Sequence, residues 1–218
     1  MATIELDHLM WGAPSLACGM EEARRLFGAA PAPGGVHPGL GTQNALLSLG
    51  EQVYLEVIAP DPAQKLDGTL GAKLATMRTP GLITWAAATT DLETVAARAA
   101  AASLRVRGPV PTQRQAPDGS VLRWRLLFLG GHDFGSLVPF FIDWQDTPHP
   151  ARTNPPGGRF ERLEVRSPRA EALSDLYARL GLSLVARPAD EPGLTASIDT
   201  ANGEVRLLSA DGTDGWSL

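Results

Sequence analysis

The sequence has one cysteine among its 218 residues, so it has no pair for an internal disulfide and no thiol cluster for a zinc site. It has no run of consecutive Lys or Arg, and its net charge of -5 leaves no basic stripe for a nucleic-acid backbone. Its longest apolar stretches, such as 137–142, are far shorter than the roughly 20 residues that cross a bilayer. Glu5 and Asp7 stand where a secretory signal needs an apolar core. These absences predict a cytoplasmic protein with no nucleic-acid and no membrane partner.

Common signatures of catalysis and nucleotide binding are also missing. The chain has no phosphate-binding loop ending in Lys-Ser or Lys-Thr, no Gly-x-Ser-x-Gly and no His-Glu-x-x-His. The glycine-rich segment 34–41 lacks the dinucleotide spacing and follows a predicted helix, which favours a turn-rich loop over a phosphate cradle.

Three stretches of similar pattern, at 6–16, 82–92 and 160–170, each run from an apolar strand-like segment into a helical pattern. Strands are then predicted at 44–49, 52–59, 121–129, 137–144, 195–199 and 204–209, with a further short strand around Val36. The pattern predicts an α+β fold of repeated βαβββ units at 1–60, 80–145 and 158–210. A helical connector at 69–77 and an extended, proline-rich link at 146–158 separate them.

His8 and Glu56 are polar residues within two otherwise apolar strands. Each alone has an ordinary interpretation: a hydrogen-bonded structural histidine, and a carboxylate on a strand face that meets water. As a pair on neighbouring strands, an imidazole and a carboxylate suit a divalent cation. They equally suit a general base and its orienting partner.

Two further polar residues accompany this pair. His37 lies in the glycine-rich segment and is a candidate third metal ligand or proton carrier, or else a solvated loop residue. Asn44 is a candidate for hydrogen bonding to a substrate oxygen, although Asn is equally at home where a loop enters a strand. His132 and His149 are predicted at the surface.

Four aromatic side chains are candidates to line an apolar binding cavity, if they point inward. Core packing alone also accounts for them. They are Trp85, Phe140, Phe141 and Trp144.

At these residues the sequence resembles the vicinal oxygen chelate superfamily, in its glyoxalase-like branch. The matching stretches are LDHLMWGAP, GGVHPGLGTQNALLSLG, YLEVIAP and PFFIDW. The resemblance implies paired βαβββ modules whose curved mixed sheets surround a cup. It implies a glyoxalase-like domain over 1–145, made of modules 1–60 and 80–145. The proline-rich link and a third, shorter module then occupy 146–218.

The resemblance also implies a metal site. His8 and Glu56 occupy the positions of a first-strand and a last-strand ligand, for one divalent ion such as Zn, Mn, Fe, Co or Ni. Thr84 aligns with His8, and Phe140, Phe141 or Ile142 with Glu56, so the symmetric four-ligand cage of metal-dependent glyoxalases is not visible. His37 or His149 could complete a smaller ligand set, and a metal-free pocket is the alternative.

The leading functional hypothesis is a protein that binds a small oxygen-rich or aromatic metabolite, as a metal-assisted lyase, isomerase or dioxygenase. His8 and Glu56 are the predicted metal ligands, and Glu56 and His37 the predicted catalytic residues. Asn44, Trp85, Phe141 and Trp144 are the predicted substrate-binding residues. The alternative is a non-catalytic protein that sequesters a small molecule without a metal. The cup could form within one chain or by exchange in a homodimer.

Overall fold

The computed structural model describes residues 3–115 and 121–210, apart from the side chain of Gln115. The strands are β1 (Glu5–Gly12), β2 (Ala32–His37), β3 (Thr42–Ser48), β4 (Tyr54–Pro60), β5 (Gly81–Ala88), β6 (Arg105–Gln115), β7 (Val121–Gly130), β8 (Phe140–Asp143), β9 (Arg159–Ser167), β10 (Arg187–Pro188), β11 (Gly193–Thr200) and β12 (Gly203–Leu208). The α-helices are α1 (Leu16–Phe27), α2 (Leu70–Leu74), α3 (Leu92–Ala101) and α4 (Ala170–Leu180).

Eight strands form one curved mixed sheet, in the order β2-β3-β4-β1-β5-β8-β7-β6. Its two halves have the same element order, βαβββ, and they join where β1 pairs antiparallel with β5. In each half the first strand pairs parallel with the last, β1 with β4 and β5 with β8. The predicted α+β fold with curved mixed sheets is therefore confirmed.

The last part of the described chain forms a second sheet, in the order β10-β9-β11-β12, with α4 between β9 and β10. The link before it is more structured than the sequence suggested. Pro150–Arg152 forms a 3-10 turn, in which proline suits the first position because that backbone nitrogen needs no acceptor. Residues 211–218 of the predicted third module lie outside the described residues.

Two strands were not predicted from the sequence, and one was predicted to be too long. β6 was missed because Gly108, Pro109 and Pro111 interrupt it, which is tolerated on the edge of a sheet. β10 has only two residues. The segment predicted as strand 137–144 begins as a 3-10 turn at Gly135–Leu137 and becomes β8 only at Phe140.

The two faces of the eight-stranded sheet have different roles, because side chains alternate between faces along a strand. Leu9 and Trp11 of β1 pack into the main core, which also takes in Phe27 of α1, Val95 of α3 and Tyr177 of α4. The second sheet contributes Leu194 and Ile198 to that core. The opposite, concave face carries His8 and Met10 and encloses a cavity.

The α-helices in the described part of the chain are all too short or too polar to cross a membrane.

Candidate functional site

A cavity of about 210 Å³ occupies the concave face of the eight-stranded sheet. Its polar lining comes mainly from four adjacent strands: His37 on β2, Asn44 on β3, Glu56 on β4 and His8 on β1. Its remaining walls are largely apolar, and they include Met10, Leu46, Ile58, Trp124, Leu126, Phe128, Phe140, Ile142 and Trp144. A few polar groups within apolar walls is the usual composition of a small-molecule site.

His8 and Glu56 face one another across a short gap in this cavity. Nε2 of His8 lies 3.5 Å from Oε2 of Glu56, and both side chains are less than a tenth exposed. Nε2 is buried and has no hydrogen-bond partner among the described residues. The other ring nitrogen, Nδ1, lies 2.5 Å from Oδ1 of Asp7. When the ring is neutral, the hydrogen on Nδ1 bonds Asp7, and the Nε2 lone pair points towards the Glu56 carboxylate.

The second oxygen of Glu56 is held by Asn44, whose Nδ2 donates to Oε1 at 2.6 Å. The same Nδ2 lies 3.3 Å from Nε2 of His37, and Nδ1 of His37 lies 2.9 Å from Oγ1 of Thr42. Because Asn44 donates towards Nε2, the His37 hydrogen belongs on Nδ1, where it bonds Thr42. His37 therefore presents an acceptor to the cavity, 3.7 Å from Oε1 of Glu56.

Asp7 reaches His8 because of a β-bulge. In the β1–β5 ladder Leu6 pairs with Ala87 and His8 with Ala86, so Asp7 is the additional residue. Its Oδ2 accepts from Nε1 of Trp144 at 2.8 Å and from Nε2 of His149 at 3.0 Å. This buried carboxylate thus joins His8 to the segment that follows β8.

Nδ1 of His149 accepts a hydrogen bond from the amide of Ala151 at 3.2 Å. The ring hydrogen is then on Nε2, the atom that donates to Asp7. The expected surface position of His149 is corrected by this contact: its side chain is only 17% exposed.

Burial and hydrogen bonding act in opposite directions on Asp7. Burial raises its pKa, but hydrogen bonds from His149 and His8, together with the electrostatic attraction of the two rings, outweigh that effect and lower the pKa to about 2. Asp7 is therefore a carboxylate at neutral pH, and it remains an acceptor for His8.

His37 is less basic than an ordinary histidine. Burial lowers its pKa, and the nearby charge of Glu56 only partly offsets that shift. The ring is therefore neutral at neutral pH, which agrees with the tautomer that its hydrogen bonds require.

The second half of the sheet supplies no comparable pair. His8 pairs with Ala86 and Met10 with Thr84, so an approximate two-fold axis relates His8 to Thr84. The same axis relates Met10 to Ala86. Because Met10 pairs with Glu56 and Ala86 pairs with Phe140, Phe140 is the residue equivalent to Glu56 in the second half. Of the three alternatives left by the sequence, the register selects Phe140. Thr84 donates its hydroxyl to the carbonyl of Ser136 at 3.1 Å.

The donor set for a metal is correspondingly small. Across residues 3–115 and 121–210, no group of three or more His, Cys, Asp or Glu side chains is arranged around a common metal position. The pair of His8 Nε2 and Glu56 Oε2 fits one side of such a site: two atoms each about 2.1 Å from a tetrahedral cation are about 3.4 Å apart. The hydrogen bond from His8 to a carboxylate is also typical of ligating histidines.

The predicted aromatic residues divide between the two faces of the sheet. Trp144 lines the cavity. Trp85 and Phe141 lie in the main core instead, where Nε1 of Trp85 donates to the carbonyl of Leu137 at 2.9 Å. Their expected place in the cavity is corrected: both strands are largely apolar on both faces, so alternation carried no information on which face each ring occupies.

Two charged residues of the site, Asp7 and Arg114, were not identified from the sequence, and His149 was named only as a candidate further metal ligand. Strict alternation would direct Asp7 away from His8, and the bulge that prevents this has no glycine to mark it. An acid beside a histidine in an apolar strand was the available signal. Arg114 lines the cavity from β6, the missed strand.

Comparison with known proteins gives one family match and several structural ones. The family model of the glyoxalase-like domain matches residues 6–181 of this chain. A hypothetical protein from Staphylococcus aureus is 18% identical, with a TM-score of 0.67, over 96% of this chain and 86% of that one. The comparison with curated proteins found no match.

A methylmalonyl-CoA epimerase from Streptomyces coelicolor, solved with 2-nitronate-propionyl-CoA, is 21% identical, with a TM-score of 0.51, over 69% of this chain and all of that one (100%). A hypothetical protein from Bacillus halodurans is 15% identical, with a TM-score of 0.51, over 66% of this chain and 96% of that one. At these identities the structural matches establish a shared fold. Together with the family match over most of its length, they show that the chain belongs to the glyoxalase-like domain family of the vicinal oxygen chelate superfamily.

Proposed function

We propose that the protein is a metal-assisted lyase or isomerase that binds a small oxygen-rich or aromatic metabolite in the cavity. The observation that carries this proposal is the 3.5 Å approach of His8 Nε2 to Glu56 Oε2. Two acceptor atoms facing each other in a buried site repel unless a cation or a proton lies between them. A divalent cation matches their separation and their chemistry.

In this proposal, His8 and Glu56 would hold the ion, and Asp7, which is bonded to Nδ1 of His8, would orient the ring so that Nε2 faces the ion. The ion, when bound, supplies Lewis acidity that stabilises negative charge developing on substrate oxygens. Asn44 fixes Glu56 through Oε1. Substrate oxygens and water would complete the coordination, since the second half of the sheet offers Thr84 and Phe140.

The proton transfer is assigned to Glu56 and His37. His37 is neutral, its hydrogen is directed to Thr42, and its Nε2, which accepts from Asn44 at 3.3 Å, is the ring nitrogen that would take a proton. Glu56 lies 3.7 Å from that nitrogen, so a proton taken by the carboxylate can pass to the ring. An epimerase is among the proteins that share this fold, which makes proton transfer next to a carbonyl a chemistry compatible with the cup.

A second candidate is a non-catalytic protein that sequesters a small molecule in the same cavity. The observation that favours it is that Thr84 and Phe140 stand where a symmetric cage would have a His or carboxylate ligand, which leaves at most half of that cage. In that case Glu56 and His37 would bind ligand hydroxyl groups and no product would form.

Metal analysis tests the first candidate. The protein would be reconstituted with Zn, Mn, Fe, Co and Ni in turn, dialysed and analysed for bound metal, alongside His8→Ala and Glu56→Gln. Matched controls are His132→Ala and Glu51→Gln, which lie outside the cavity. We expect near-stoichiometric metal in the parent and both controls and its loss in the two site variants. Absence of metal from the reconstituted parent would contradict the metal-assisted mechanism.

Proton exchange separates catalysis from sequestration. A panel of 2-oxo and 2-hydroxy acids would be incubated with the protein in D₂O and followed by NMR. An enzyme of the proposed type incorporates deuterium at the carbon beside the carbonyl, and Glu56→Gln abolishes this. A compound that binds but is recovered without exchange or conversion would favour the second candidate.

A further inference from the structure

Arg114 connects the two ends of the curved sheet. It lies on β6 and its Nη1 donates to the backbone carbonyl of Gly34 on β2, while β2 and β6 are the first and last strands of the eight-stranded sheet. A Cβ on Gly35 would lie 2.9 Å from Nη1 of Arg114, so the absence of a side chain there leaves room for the guanidinium. The contact brings a cation to the cavity.

Arg114 forms no ion pair with an acidic side chain among the described residues. Other arginines there do, such as Arg125 with Asp143 and Glu93. A guanidinium carries five N–H donors in a planar fork, and the carbonyl of Gly34 takes only one of its bonds. Arg114 also lies close enough to His37 and Tyr54 for its charge to lower the pKa of both groups, although burial has the larger effect on each. It is therefore a cation of the cavity itself, with donors to spare.

The surroundings of Arg114 restrict what it can recognise. The cavity that Arg114 lines also has a wall of apolar side chains, which include Leu126, Phe128 and Phe140, and Val36 and Leu40 are about half exposed at the same cavity. The carboxylate of Glu56 is held by Asn44 and faces His8 and His37. A cation in a cavity whose walls are otherwise largely apolar selects an anion that carries an apolar body, because each part meets a complementary surface.

We infer that Arg114 is an anion-binding residue of the cavity and that the ligand is a small organic acid with an aromatic or branched apolar body. Its carboxylate or phosphate accepts from the guanidinium, and its apolar body lies against the wall. This inference rests on the proposed function, since it defines the ligand class of the same cavity. A cavity of about 210 Å³ is below the roughly 300–1,000 Å³ of sites for drug-sized ligands, which agrees with a small metabolite.

Direct binding tests the inference without any reaction. Calorimetry would measure the affinity of 3-phenylpropanoate, of its neutral amide 3-phenylpropanamide, and of phenyl phosphate, in buffer containing EDTA. We expect the parent to bind at least one anion more tightly than the amide, by roughly 10- to 100-fold, because hydrogen bonds to charged groups are the strong ones. The carboxylate and the phosphate then distinguish the two kinds of anion.

Arg114→Met should abolish the preference for the anion and leave the affinity for the amide unchanged within twofold. Arg114→Lys, which keeps the charge but not the planar fork, should retain part of it. Arg123→Met, which removes an exposed cation from the neighbouring strand β7, is the matched control and should bind as the parent does. Circular dichroism establishes that each variant is folded, and Arg114→Lys serves if Arg114→Met is not.

Several results would overturn the inference. These are a parent that binds neither anion more tightly than the amide, a preference that survives in Arg114→Met, and an equal loss in Arg123→Met. A parallel loss of acid and amide binding in Arg114→Met would show a structural role in closing the sheet, and would overturn it too. Because EDTA is present, failure of the metal-assisted mechanism leaves the anion preference intact, and the two failures are distinguishable.

Discussion

His149 donates a hydrogen bond of 3.0 Å to Asp7 from 142 positions further along the chain. Asp7 in turn accepts from His8, so the orientation of a ring in the first strand depends on a residue in the proline-rich link. Trp144 donates to the same carboxylate oxygen as His149. The link is therefore part of the structure that holds His8 in place, although it lies outside the eight-stranded sheet.

Replacing Asp7 should make the free energy of unfolding less sensitive to a fall in pH. Its pKa is about 2 in the folded protein and about 3.9 in an unfolded chain, so its stabilising effect is fully present above pH 4 and is lost as the pH falls towards 2. That shift corresponds to roughly 2.6 kcal/mol. Urea unfolding of the parent and of Asp7→Asn between pH 2 and 6 should therefore give a difference that shrinks below pH 4.

Asp175→Asn, on the exposed face of α4, is the matched control and should show no such trend. A difference between parent and Asp7→Asn that stays constant from pH 6 to pH 2 would contradict the assignment of a lowered pKa to Asp7. Asp7→Asn should also lower the affinity of the protein for the divalent metal by roughly 10- to 100-fold, as is usual for the loss of a group that orients a ligating histidine.

The ring of His37 should titrate below the ordinary pKa of histidine. Burial lowers its pKa, and the charge of Glu56 partly restores it, so Glu56→Gln should lower the pKa of His37 further. NMR of the ring Cε1–H signal measures both values. A rise in the pKa of His37 on removal of Glu56 would show that the two side chains are not coupled as the structure indicates.

Gly34→Ala should disturb the contact between Asn44 and Glu56 in the cavity, although Gly34 itself does not line the cavity. A Cβ at this position would lie 2.3 Å from Oδ1 of Asn44, so the amide that holds Glu56 has to move. Overpacking of this kind costs about 1–3 kcal/mol. The free energy of unfolding, measured with denaturant, and the affinity for metal should both fall. Gly130→Ala, whose Cβ would meet only Arg105 at 3.7 Å, is the control and should leave both unchanged.

Leucine substitution of two tryptophans should separate core from cavity. Trp85→Leu removes a fully packed ring and its bond to Leu137, and should lower the free energy of unfolding by about 3 kcal/mol with little effect on binding of 3-phenylpropanoate. Trp144→Leu removes part of the cavity wall, and should weaken that binding. Equal effects of the two variants on binding would contradict the placement of the rings on opposite faces.

The polar cluster was recognisable in the sequence because polar residues in apolar strands are few. His8, His37, Asn44 and Glu56 were all identified in this way, and the structure brings them together on adjacent strands. Their catalytic and ligand roles stay proposals. The repeated βαβββ order was visible for the same reason, since alternation and helical spacing recur at nearly even intervals.

What escaped prediction depends on facing and on long-range contacts. Trp85 and Phe141 lie in segments that are apolar on both faces, where alternation carries no information. Asp7 turns towards His8 through a bulge, and His149 donates to Asp7 from 142 positions further along the chain. Arg114 was missed with its strand, because an interrupted edge strand has little hydrophobic pattern of its own.

The central pairing of β1 with β5 also has a consequence for the order in which the molecule assembles. His8, His37, Asn44 and Glu56 all belong to the first 60 residues, while the walls and closures of their cavity come from β6, β7, β8 and the link. On the ribosome, the acidic and imidazole groups are thus made first and are covered only after residue 150 has emerged. Until then they remain hydrated, and the desolvation of Asp7 and Glu56 falls at the end of folding, when His149 and the second half of the sheet are available to receive them.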